Sequence, residues 1–131
     1  MSTNNIQTVR AIYDAFGRGD VPTILNQLSA DVVWEFEAPS ILSFGGIRKG
    51  PAEVVGFFEG IVKEHTNPQL AISDVFGDGD KVAAFGRYEA TMTATGKHVS
   101  TPLAHFWTFH DGKVTRYVNY INTAAFVEAS Q

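Results

Sequence analysis

Val99-Ser-Thr-Pro-Leu-Ala-His-Phe-Trp-Thr-Phe109, then His110-Asp-Gly-Lys113, then Val114-Thr-Arg-Tyr-Val-Asn-Tyr-Ile121 is the stretch on which the fold turns. Two runs rich in β-branched and aromatic residues flank Asp111-Gly112, a dipeptide that accepts the positive backbone angles of a tight hairpin turn. The runs therefore read as antiparallel neighbours. Upstream, Leu70–Phe76 and Lys81–Thr93 repeat the pattern, with turn signals at Gly77-Asp78-Gly79-Asp80 and Thr95-Gly96. Four strands joined this way form a meander. Both alternating sets on Val99–Phe109 are apolar: Leu103, His105, Trp107 and Phe109 on one side, Ala104, Phe106 and Thr108 on the other. A sheet wetted on one face alternates more cleanly than this. The outer sheet face is thus expected to pair with a second copy, giving a homodimer.

Ahead of the meander the period becomes helical. Ile6, Val9, Ile12, Tyr13 and Phe16 share one helix face, and Gly17 and Gly19 supply a stop. Asp20 is predicted to cap a second, short helix with Val21-Pro22 in its first turn and Ile24, Leu25 and Leu28 as its apolar side. Asp31–Glu37 alternates through Val32, Trp34 and Phe36 and reads as a strand that stops at Ala38-Pro39. Ser40–Gly50 reads as an apolar loop. Pro51 opens a third helix lasting to about His65, with Val54, Val55, Phe57, Phe58, Ile61 and Val62 as its stripe. Ala124–Ala129 reads as a last helical turn. The predicted order, α-α-β-α-β-β-β-β, is an α+β class: helices packed on one face of a strongly curved, mainly antiparallel sheet, in one domain over residues 1–131.

Composition agrees. The chain of 131 residues is 44% hydrophobic, with ten Phe, four Tyr and two Trp, which excludes a disordered segment. It contains no cysteine, so neither disulfides nor thiolate metal sites are available. The net charge of −4 provides no basic patch, so nucleic acid and anionic membranes are poor partners. No apolar run approaches the ~20 residues of a membrane span. Met1-Ser-Thr-Asn-Asn-Ile-Gln7 lacks the basic and apolar regions of a signal peptide, and a soluble cytoplasmic protein is expected.

In this order the residues resemble a known family. Ala11-Ile-Tyr-Asp-Ala-Phe-Gly-Arg-Gly-Asp20 is similar to the first-helix signature of the SnoaL-like and ketosteroid-isomerase-like branch of the NTF2-like superfamily. Asp31-Val-Val-Trp34, Gly45–Gly50 running into Phe57-Phe58, His105–Lys113 and Tyr120-Ile-Asn-Thr123 complete a collinear series over nearly the whole chain. The resemblance implies a cone-shaped fold around an apolar pocket. Its members include isomerases, polyketide cyclases, epoxide hydrolases, dehydratases and binding-only proteins, so the pocket residues must decide function.

The resemblance makes His105 the leading candidate, on the inner face of its strand. An imidazole in an apolar pocket can move a proton to or from a carbonyl compound, or merely satisfy a buried hydrogen bond. Asn119 stands where polyketide cyclases of the family pair a histidine with an aspartate; an amide can hold an oxyanion but cannot act as a base. Asn122 offers a second such point. Each equally reads as an ordinary polar residue near a strand end. Tyr13 occupies the place of the steroid isomerases' oxyanion-hole tyrosine, or is a core aromatic whose hydroxyl finds a partner. Ala38 replaces the aspartate base that those isomerases carry before a proline, and Glu37 falls on the opposite face by alternation, which disfavours steroid isomerisation. Arg87 and Glu89 read as a surface or interface ion pair, and Asp74 as a strand carboxylate of open register.

Gly77-Asp-Gly-Asp80 lacks the third glycine of a dinucleotide fingerprint, and His65, His98, His105 and His110 have no metal-ligand spacing, so no cofactor or metal is expected. Two functions follow. One is an enzyme of cyclase or isomerase type, holding a flat apolar carbonyl compound among Trp34, Phe57, Leu103, Trp107, Tyr117 and Ile121, with His105 as acid/base and Asn119 and Tyr13 on the oxygen. The other is a binding protein for an apolar metabolite; a dimerising interaction module is a third use of the same fold.

Overall fold

The computed structural model describes residues 2–131. Its elements are α1 (Ser2–Gly17), α2 (Val21–Leu25), β1 (Leu28–Phe36), β2 (Gly46–Lys49), α3 (Pro51–Glu64), β3 (His65–Asp78), β4 (Lys81–Met92), β5 (His98–His110), β6 (Lys113–Ile121) and α4 (Thr123–Ala129). The six strands form one curved, open sheet in the order β2-β1-β6-β5-β4-β3. All neighbours are antiparallel except β1 and β6. The α+β class and the meander are as expected.

Three local expectations are corrected. Leu28 does not extend α2; the helix ends at Leu25, and Leu28 opens β1, buried in the core. The backbone there is claimed by the parallel ladder: the Val114 amide donates to the Gln27 carbonyl at 2.9 Å. The loop Ser40–Gly50 contains a short edge strand, β2, whose four residues lack any alternation to signal it. Its Arg48 guanidinium, partly desolvated, donates to the carbonyls of Ser43, Phe44 and Gly45. Finally, β3 begins at His65 instead of Leu70. Asn67 (φ 53°) and Pro68 sit in a bulge that breaks its alternation, because neither that backbone angle nor a proline fits a regular ladder.

The capping signals act as read. Asp20 accepts from the Thr23 amide and hydroxyl at 3.2 and 2.6 Å, which pulls its carboxyl below the usual range. Asp111 (φ 50°) and Gly112 (φ 77°) are both left-handed, the condition for a two-residue turn matched to strand twist. The concave sheet face, with α1, α3 and α4, closes one core that includes Val9, Ile12, Val54, Trp34, Trp107 and Phe126.

Candidate functional site

The β5–β6 ladder places Leu103 opposite Ile121, His105 opposite Asn119 and Trp107 opposite Tyr117. Directly opposite residues in an antiparallel pair share a face, and this one is concave. The parallel β1–β6 pairing adds Trp34 beside Tyr117. A row of rings results: Trp34 stacks on Tyr117 at 3.9 Å between centroids, and Trp107 lies 4.6 Å from Tyr117. Phe57 of α3 closes edge-on against Trp34 at 5.5 Å, and Tyr13 of α1 covers His105 at 5.7 Å.

These residues line one cavity. It contains all nine residues that the enzyme reading of the sequence assigned to the pocket: Tyr13, Trp34, Phe57, Leu103, His105, Trp107, Tyr117, Asn119 and Ile121. Its volume is about 60 Å³. The space is therefore a narrow slot between aromatic faces. No Asp or Glu contributes to its wall.

At its centre is a chain of three polar groups. The Trp107 indole N–H donates to the Tyr13 hydroxyl at 3.0 Å, and that hydroxyl lies 2.8 Å from Nδ1 of His105. With its oxygen already accepting from Trp107, Tyr13 places its proton on the acceptor at hand, the Nδ1 lone pair. His105 is then the tautomer with hydrogen on Nε2. At 5% exposure, desolvation lowers its pKa to about 3, so at neutral pH it is an uncharged N–H donor, not an imidazolium. Burial raises the Tyr13 and Tyr117 hydroxyls well above their ordinary value. Tyr13 is thus held on both sides by protein groups, Trp107 and His105.

The structure leaves three buried side-chain polar atoms of the described residues without a hydrogen-bond partner: Trp34 Nε1, His65 Nε2 and Asn119 Oδ1. All three belong to residues of the cavity wall. His65 and its partner Tyr88, 2.6 Å from Nδ1, escaped the sequence reading because 23 positions and a strand bulge separate them. Other candidates lie elsewhere. Asn122 is exposed and begins α4, and Glu37 and Asp74 are exposed. Arg87 donates to the Ser100 hydroxyl while Glu89 pairs with His98, so the expected Arg87–Glu89 contact is replaced by two others. Among the described residues, no three His, Cys, Asp or Glu side chains gather as a metal site, and no helix is long and apolar enough to cross a membrane.

Comparison with known proteins places this geometry. The SnoaL-like domain family matches residues 9–117. An NTF2-like protein of unknown function from Burkholderia pseudomallei is similar over 98% of both chains, at 29% identity and a TM-score of 0.91. TerC, crystallised with polyporic acid, is similar over 96% of this chain and 97% of its own, at 29% identity and a TM-score of 0.87. A candidate polyketide cyclase from Xanthomonas campestris pv. campestris shares 25% identity over 99% and 98% of the two chains, with a TM-score of 0.84. No protein of curated function matches the chain. On the extent of the domain match and the agreement of the folds, the chain belongs to the SnoaL-like family within the NTF2-like superfamily.

Proposed function

We propose that the cavity takes a flat, apolar carbonyl compound and polarises its oxygen for cofactor-free isomerase- or cyclase-type chemistry. The observation that carries this reading is the set of unpartnered buried polar atoms, all on the wall of one apolar slot. Each costs about 1–3 kcal/mol while unpaired; a ligand carbonyl oxygen would accept from Trp34 Nε1–H, and a ligand hydroxyl or enol would donate to Asn119 Oδ1. Polar groups placed sparsely in an apolar wall are the usual make-up of a small-molecule site. The co-crystallisation of TerC with polyporic acid supports a small organic ligand.

In this reading His105 is the catalytic residue, donating from Nε2–H to the carbonyl oxygen where negative charge develops. Asn119, directly across the ladder, presents its unpartnered Oδ1, which accepts from a hydroxyl or enol of the ligand rather than from the carbonyl oxygen. Tyr13 is a positioning residue: it fixes the tautomer and plane of His105. With no carboxylate in the wall and His105 Nδ1 engaged by Tyr13, the substrate is an activated carbonyl compound, such as a polyketide fragment, whose C–H proton passes to a water molecule as the weak base. His105→Gln keeps an N–H donor of similar reach, whereas His105→Ala removes it. Turnover of a 1,3-diketone probe should fall at least about 100-fold in the Ala variant and recover in part in the Gln variant. Equal rates in the wild type and the Ala variant would remove His105 from the chemistry.

A binding-only role is the second reading, favoured by the missing carboxylate; it expects saturable binding with no turnover of any probe. Either way, the exposed outer-face residues Phe76, Phe85 and Tyr120, with 62%, 42% and 58% of their surface open, support pairing of two copies through the sheet. Sedimentation of wild type against Phe85→Glu tests that pairing.

A further inference from the structure

As it stands, the cavity of about 60 Å³ is too small for the flat carbonyl compound proposed for it. Benzene occupies a cavity of about 150 Å³, and a close-packed interior does not stretch to make room. Some part of the wall must therefore move as a unit.

The walls differ in how firmly they are held. β5 and β6 are fixed to each other and to their neighbours by ladders. α1 is pinned through the Tyr13 hydroxyl to His105 and Trp107. α3 runs between β2 and β3, and at Gly60 it lies so close to the loop before β2 that a Cβ would come within 3.1 Å of the Phe44 backbone. That loop is gripped in turn by Arg48, which donates to the carbonyls of Ser43, Phe44 and Gly45.

α4 is held more lightly. It enters no ladder and follows β6 through Asn122, whose side chain does not cap its first turn. Besides the packing of Phe126 and Ala129, three polar contacts tie it down. The Asn122 amide donates to the Thr101 hydroxyl at 3.4 Å, the Thr95 hydroxyl to the Ala129 carbonyl at 2.5 Å, and the Lys97 ammonium to the Gln131 carbonyl at 2.5 Å. A helix of seven residues does not persist once undocked. Its Phe126, 1% exposed, sits among Phe44, His65 and Tyr88, with ring centroids 5.4, 5.5 and 6.0 Å away, and all four residues line the cavity.

We propose that α4 is a detachable wall of the cavity and Phe126 its plug, so that docking of α4 and binding of a ligand exclude each other. This rests on the reading of the cavity as a ligand site and adds to it how the site is opened. The apparent affinity is then the intrinsic one scaled by the fraction of molecules with α4 undocked. Whatever loosens α4 tightens the ligand, even from outside the cavity.

The test uses benzoylacetone, a flat, apolar 1,3-diketone, titrated against the fluorescence of Trp34 and Trp107. Thr95 lies in the turn between β4 and β5 and does not line the cavity. Thr95→Val keeps its shape and removes the bond to Ala129. Binding should tighten about three- to tenfold, the worth of one hydrogen bond lost from the docked state. A measurement on the unmodified chain guards against an altered turn. When benzoylacetone saturates wild-type protein, hydrogen exchange at the amides of Phe126–Ala129 should speed up at least about tenfold while the β5 amides keep their protection. A fixed wall predicts the reverse, because a ligand protects what it touches. Equal affinities in wild type and Thr95→Val, or α4 amides that slow or hold their rate on binding, overturn the plug and leave the ligand site standing. Failure of benzoylacetone to bind wild-type protein overturns the ligand-site reading and this inference with it.

Discussion

Lowering the pH from 7 to 5 should cost this protein about 4 kcal/mol of stability, through His65 and His105 alone. Both imidazoles are buried and neutral in the folded chain, with pKa values lowered to about 4 and about 3 by desolvation. In the unfolded chain each returns to ~6.5. Below that value the unfolded state binds more protons, so stability falls as pH falls, until the folded-state values are reached. At pH 5 an unfolded histidine is almost fully protonated and a folded one almost wholly neutral. The difference from pH 7 is about 2 kcal/mol for each, and it changes little if the folded values shift by half a unit. Against a total of roughly 5–15 kcal/mol for a domain, the sum is large. His98 and His110 lie mostly in solvent, and the lowered Asp20 carboxyl acts only at lower pH. Urea unfolding at both pH values gives the drop directly. His65→Leu and His105→Leu should each remove about half of it. A drop below about 1 kcal/mol in wild-type protein, or one undiminished in both variants, would show that these histidines are not held neutral by burial, and the assignment of His105 as an uncharged donor would fail with it.

Two further outcomes follow from local geometry. Tyr13→Phe strands the Trp107 indole N–H and frees Nδ1 of His105; unfolding in urea should show a loss of about 1–3 kcal/mol, and 15N spectra should show His105 exchanging between tautomers. A Cβ at Gly86 would lie 2.1 Å from the Ala71 carbonyl oxygen and 2.9 Å from the Ile72 Cα, both backbone atoms of β3, whereas one at Gly17 would meet nothing within 4 Å. Gly86→Ala should therefore cost more than about 3 kcal/mol, while Gly17→Ala should be neutral or stabilising by up to about 1 kcal/mol, as thermal unfolding of the pair would show.

The helices, the meander and the inward set Leu103, His105 and Trp107 were legible because each is written in a local period and punctuated by a local signal. The β6 side was harder. Counting back from the His110–Lys113 pair that closes the hairpin places Val118 opposite His105, with Asn119 pointing away from the cavity. The register instead shifts between Thr108 and Phe109, leaving Thr115 as the extra residue, and that single insertion turns Tyr117, Asn119 and Ile121 inward. The family resemblance, not the count, placed them there. Tyr13 was legible as an inward aromatic of α1 but its hydrogen bonds were not, since Trp107 and His105 join α1 to a strand more than ninety positions away.

The sequence by itself determined the class of fold, the apolar wall and the shortage of inward polar groups, because periodicity, turn chemistry and composition act within a few residues along the chain. Tertiary structure alone decided which histidines lose their charge, which nitrogen of each keeps a hydrogen and which buried atoms are left without a partner. Those properties depend on desolvation and on donors brought from distant elements, and no local pattern encodes them. His65 shows the difference most plainly. In the chain it is one more histidine between a helix and a proline; in the fold it is a neutral donor sealed against Phe126, held by Tyr88 from the neighbouring strand.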